Sequence, residues 1–159
     1  MDSEKLREET KKWLLLKPIH NPLNITLTEK QKYNGIELDK IRSEQNFRHF
    51  SKILNKKVFG NSFYRFNKKL KMLVIREMSR SLRHHLHLIM EQPQRYTFEE
   101  FKELIEIVWK KTNFGYFEIH IPKAPCVKLH YTPLVSCNML GDSYLLLRVI
   151  LYFSAMDAL

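Results

Sequence analysis

A chain of 159 residues has room for one domain with a buried core and not for two of ordinary size. A hydrophobic content of 44% excludes wholesale disorder, and two cysteines (Cys126, Cys137) without Cys-x-x-Cys spacing exclude a zinc knuckle or a disulfide scaffold. Lys and Arg outnumber Asp and Glu by 27 to 17, a formal surplus of +10 that favours polyanionic partners, nucleic acid before anionic membrane.

The opening residues are charged through Lys12 and lack the apolar run of a signal peptide. Ser3 to Leu16 has helical spacing and ends before Pro18 and Pro22. The densest apolar run, Tyr144 to Ala155, contains Arg148 and is too short to cross a bilayer. A cytoplasmic protein without a membrane partner is expected.

Leu23 to Thr28 alternates apolar and polar, the period of a half-buried strand, with Asn24, Thr26 and Thr28 on its polar side. Tyr33-Asn34-Gly35 marks a turn. From Ile36 to Phe59 the spacing of Leu38, Ile41, Phe47, Phe50 and Leu54 predicts a helix, with Gly60 as its stop. The stretch from Lys56 to Lys71 mixes cations with Phe63, Tyr64 and Phe66. It is a candidate DNA contact, in which Lys56, Lys57, Arg65, Lys68 and Lys69 track phosphates while rings stack on unpaired bases.

Leu73 to Glu77 and His84 to Met90 read as the two strands of a hairpin. Thr97 caps a helix whose buried side is Phe98, Phe101, Leu104, Ile105 and Val108. Phe114 to Ile121 is a further strand, with Tyr116, Glu118 and His120 on one face. After Pro122 only Leu145 to Phe153 looks like an element, expected to be a last helix. The order of elements predicts an α+β fold, a mainly antiparallel central sheet flanked by helices. Residues 1–122 form its domain, and 123–159 a C-terminal segment expected either to carry a nucleophile helix or to be truncated.

Side chains alternate across a strand, so His85 and His87 share one face while Leu86, Leu88 and Met90 share the other. If Glu77 stands opposite His85, its carboxylate joins the imidazoles. Two imidazoles and a carboxylate with open positions suit Mn2+ or Mg2+ better than a closed zinc site.

From Trp13 to Ile121 the chain resembles the HUH endonucleases, in particular the replication-initiator (Rep) group of plasmids, filamentous phages and related elements. Asn24-Ile25-Thr26-Leu27-Thr28 occupies the place of that family's first motif, and His85-Leu86-His87 that of its His-hydrophobic-His strand. Glu77 matches an upstream Glu that several relatives use as third metal ligand. The resemblance implies a metal-dependent nickase and strand transferase for single-stranded DNA or an origin hairpin. It also implies host replication proteins as partners and a covalent phosphotyrosine intermediate that starts rolling-circle replication. Thr26 and Thr28 are candidate DNA contacts.

The family's nucleophilic Tyr is often followed three residues later by Lys, and no late tyrosine here has that neighbour. Tyr144, with Arg148 one helical turn onward, is the first choice, and Tyr131 the second. The alternatives are a non-catalytic nucleic-acid-binding module that keeps the sheet, and an HUH transposase sharing the metal site.

Overall fold

The computed structural model describes residues 19–78, 83–123 and 148–150. Its first strand, β1 (Pro22–Glu29), carries the alternation just noted: Leu23, Ile25 and Leu27 are buried on one face, and Asn24 and Thr26 are half-buried on the other. β2 (Lys32–Tyr33) and β3 (Ile36–Glu37) form a small hairpin. Asn34 and Gly35, at φ 48° and 80°, supply the two left-handed residues that its tight turn requires.

That hairpin corrects the predicted start of the following helix. α1 (Lys40–Phe59) begins after Ile36–Glu37 has paired as a strand, where the Asp39 carboxylate accepts the Arg42 backbone N–H at 2.7 Å. Ile41, which fitted the apolar spacing, is exposed, while Phe47, Phe50, Leu54 and Val58 are buried. Gly60, at φ 56°, ends the helix and leads into the short α2 (Asn61–Arg65).

β4 (Met72–Met78) and β5 (His84–Glu91) pair antiparallel, with Glu77 opposite His85 and Ile75 opposite His87. α3 (Phe98–Lys110) opens with reciprocal bonds: Glu100 N–H donates to Thr97 Oγ1 at 3.3 Å, and Thr97 N–H to Glu100 Oε2 at 2.8 Å. β6 (Gly115–His120) follows.

The last described element, β7 (Arg148–Ile150), pairs antiparallel with β4. These three residues were expected inside a helix. An apolar run this short is ambiguous by period, and the β-branched pair Val149-Ile150 suits a place beside β4.

The sheet order is β6-β1-β5-β4-β7, antiparallel throughout, as expected of the α+β class. α1 and α3 cover one face, where Ile25, Leu27, Leu86, Leu88 and Met90 meet Phe47, Phe50, Phe101, Ile105 and Trp109. Each such side chain, fully withdrawn from water, contributes about 1.5–3 kcal/mol. The opposite face carries a small apolar patch, Leu73 and Ile89 with Ile19, and the polar residues of β1, β4 and β5. A slip of one residue in β5 would drive both imidazoles into the core, so burial of Leu86, Leu88 and Met90 specifies which face the histidines occupy. No helix among the described residues is long and apolar enough to cross a membrane.

Candidate functional site

His85 and His87 stand on β5, which has β1 on one side and β4 on the other. Their cross-strand partners on β1 are Thr28 and Thr26 respectively. Both threonine hydroxyls reach the imidazoles: Thr26 Oγ1 lies 3.2 Å from His87 Nδ1, and Thr28 Oγ1 lies 3.2 Å from His85 Nδ1. Glu77 approaches from β4, its Oε2 2.8 Å from His87 Nε2. The two rings are 6.4 Å apart between centroids and inclined at 40°. The structure thus brings together Thr26, Thr28, Glu77, His85 and His87.

Partial burial pushes the His85 pKa below its ordinary value, with the neighbouring His87 and Arg83 acting in the same direction and Glu77 and Glu118 against it. A neutral imidazole is the form that ligates a metal. His84, on the other face of β5, is lowered by burial and by Arg76.

The remaining polar residues of this face are otherwise engaged or more distant. Arg83 Nη1 donates to Glu118 Oε2 at 2.5 Å, and its guanidinium covers the Tyr116 ring at 4.9 Å. His120 is opposite Thr26 on β6, two strands and roughly 10 Å from His87.

Two imidazoles and a carboxylate on one open face fit a divalent ion in donor type and in number of open positions. Among the described residues no three His, Cys, Asp or Glu side chains stand closed around a common point. Glu77 spends one oxygen on His87, and that bond must open for all three to ligate the same ion.

The basic stretch lies elsewhere. Lys56 and Lys57 are in the last turn of α1, and the chain from Gly60 onward leads to Met72, the first residue of β4. Met72 pairs with Met90, three residues along the ladder from the Ile75–His87 pair, or about 10 Å, and five from the Glu77–His85 pair, or about 17 Å. Tyr64 and Phe66 are 58% and 71% exposed there, large aromatic areas beside cations. Lys56 Nζ lies 5.7 Å from the Tyr64 ring centre, and Lys68 Nζ 5.5 Å from that of Phe59. Arg65 is exposed with Lys56, Lys57 and Lys68, whereas Lys69 is half-buried.

Thr28 is 4% exposed, so a direct DNA contact through its hydroxyl would first require the bond to His85 to be given up. Tyr144, Tyr131, Cys126 and Cys137 lie outside the described residues.

A second polar group was not anticipated. On the helix-covered face Ser43 Oγ donates to Glu29 Oε2 at 2.5 Å, and Asn46 and Arg76 are buried nearby. Among the described residues Glu29 Oε1, Asn46 Nδ2, and Nε and Nη1 of Arg76 have no hydrogen-bond partner. The signal was present in the alternation, since Glu29 continues Leu23-Ile25-Leu27 and Arg76 continues Val74 on the core face. Burial and the loss of solvation raise the Glu29 pKa, while Ser43, Arg76 and Asn46 oppose the shift.

Comparison of the chain with protein-family models, with characterised protein sequences and with solved structures returned no match.

Proposed function

We propose that this chain is a metal-dependent endonuclease of the HUH replication-initiator type, which nicks and joins single-stranded DNA and so starts rolling-circle replication. The observation that supports the reading best is the gathering of His85, His87 and Glu77 on one face of adjacent strands, each imidazole carrying a hydroxyl on Nδ1. In this reading the three residues hold Mn2+ or Mg2+. When bound, the ion supplies Lewis-acid charge to an oxygen of the scissile phosphodiester.

Tyr144 is the proposed nucleophile and Tyr131 the second choice. The phenolic oxygen gives up its proton to solvent and attacks phosphorus. The bond from phosphorus to the 3′ oxygen breaks, the departing 3′ oxygen takes a proton from solvent to leave a free 3′ hydroxyl, and the 5′ phosphate stays esterified to the tyrosine; the reverse attack rejoins the strand. The exposed cations and rings between Lys56 and Lys69 bind the strand away from the scissile bond. An origin hairpin, host replication proteins and a cytoplasmic setting belong to the same proposal.

The test is incubation of the full chain with labelled single-stranded oligonucleotides and Mn2+, resolved on denaturing gels. A cleaved product plus a covalent protein–DNA adduct is expected, and H85A and H87A should abolish both while still binding DNA. Binding without any adduct from the wild type would favour a non-catalytic nucleic-acid-binding module. Cleavage confined to paired element ends would favour the transposase type. An adduct persisting in Y144F but lost in Y131F would move the nucleophile to Tyr131.

A further inference from the structure

The two threonine–histidine bonds repeat one geometry. Thr26 and Thr28 are two residues apart on β1, His85 and His87 two apart on β5, and the antiparallel register sets each hydroxyl against one ring at the same 3.2 Å. Because both strands have a side-chain period of two, this double match arises in a single register. In each ring Nδ1 is held toward β1. The Nε2 of His87 meets Glu77 of β4.

We propose that Thr26 and Thr28 are positioning residues for the imidazole pair, holding both rings so that their Nε2 atoms face a common cation. The inference rests on the metal reading above and extends it to two residues that ligate nothing themselves. A hydroxyl is suited to the task because it both donates and accepts. In the neutral tautomer of His87 whose Nε2–H donates to Glu77, Nδ1 accepts from the Thr26 hydroxyl. Once the Nε2 lone pair is committed to a cation, Nδ1 carries the proton and donates to the same oxygen. The hydroxyl only rotates, and the ring stays in place. Partners of this kind on a ligating histidine fix its orientation and raise its basicity, and their loss typically costs about 10–100-fold in metal affinity.

The experiment uses the full chain and Mn2+ alone. Uptake is measured by calorimetry and by the paramagnetic resonance of free Mn2+ for wild type, T26V, T28V, T26S and T28S. Valine keeps the shape and removes the hydroxyl, whereas serine keeps the hydroxyl. The valine variants should bind Mn2+ about 10–100-fold more weakly, and the serine variants close to wild type.

A second readout needs no metal. In nitrogen-15 spectra of the imidazoles, T26V should move the Nδ1 resonance of His87 and T28V that of His85, each leaving the other ring unmoved. Thr26 is the less buried of the two, so T26V decides the matter if T28V fails to fold. Wild-type uptake matched by T26V and T28V would overturn the positioning role, even if the Nδ1 resonances move. No uptake by the wild type would instead overturn the metal reading and the proposal with it.

Discussion

Glu77 faces His85 across the β4–β5 ladder, yet its carboxylate bonds the other imidazole, meeting His87 Nε2 at 2.8 Å. This diagonal reach makes one carboxylate a neighbour of both rings, since its charge also acts on His85. In the proposed metal site this carboxylate gives up its bond to His87 to ligate the ion. E77Q preserves size and removes the charge. It should weaken Mn2+ uptake by more than the roughly 10–100-fold typical of a supporting residue. Denaturant stability should change by no more than about 1 kcal/mol, because the Glu77–His87 pair is partly solvated. Titration of Mn2+ into wild type and E77Q, alongside urea melts of both, checks the two statements together.

In the proposed function the basic stretch binds the strand and the imidazole site does the chemistry, so the two are separable by mutation. Removing Lys56, Lys57, Arg65 or Lys68 should flatten the dependence of oligonucleotide affinity on salt by about 0.7 in logarithmic slope for each phosphate that is no longer neutralised. Y64A and F66A should each cost about 1–3 kcal/mol in binding to single strands, because their exposed rings offer the stacking surface. If the stretch only binds the strand, cleavage at saturating oligonucleotide should keep its wild-type rate. Affinity measured across a salt series, beside single-turnover cleavage, tests this. A loss of rate at saturation would mean that the stretch acts on the scissile bond.

Residues whose side chains alternate between water and core could be placed from the sequence, because burial punishes any other register. Leu23-Ile25-Leu27 and Leu86-Leu88-Met90 therefore reveal both strands and the face on which the histidines stand. The pairing of Glu77 with His85, which the period left as one condition, is the one the β4–β5 ladder adopts. Where local and tertiary preferences compete, the pattern misleads. Leu38 and Ile41 have helical spacing, but the Asn34-Gly35 turn commits Ile36–Glu37 to a hairpin first. Val149 and Ile150 become a strand because β4 has an edge to fill, which no local pattern reports. Thr26 and Thr28 look like ordinary strand formers until the β1–β5 register sets them on the imidazoles.

Glu29 makes stability depend on pH in a direction opposite to that of an ordinary surface carboxylate. Its folded-state pKa is raised above the reference of 4.5, so the folded state holds its proton more tightly than the unfolded chain. The stability this provides is complete below 4.5 and is lost as pH rises through the raised folded value. E29Q mimics the protonated carboxyl and can still accept from the Ser43 hydroxyl. Its stability relative to wild type should therefore rise as pH climbs from the reference value of 4.5 through the raised folded value, and level off above it. Urea midpoints of the two proteins across that range provide the comparison, and parallel profiles would show that Glu29 binds its proton equally in the folded and unfolded states.

Gly115 is held by space, and Gly35 by backbone conformation. At the start of β6 a Cβ on residue 115 would fall 2.0 Å from the Trp109 carbonyl oxygen and 2.7 Å from Thr112 Oγ1, a clash chiefly with backbone. At Gly35 nothing lies within 4 Å, but φ is 80°. G35A should then cost about 1–2 kcal/mol, the penalty of a left-handed residue. G115A must instead part β6 from the end of α3, at a cost of at least the roughly 1–3 kcal/mol of an overpacked core. The damage should also spread. Trp109 is fully buried against Phe50 and donates its indole N–H to the Thr28 carbonyl at 3.1 Å, and the Thr28 hydroxyl holds His85. G115A should accordingly lower the urea midpoint further than G35A and shift the His85 Nδ1 resonance, which G35A should leave where it is. An unmoved His85 in a destabilised G115A would show that the α3–β6 junction supports the fold without bearing on the imidazole pair.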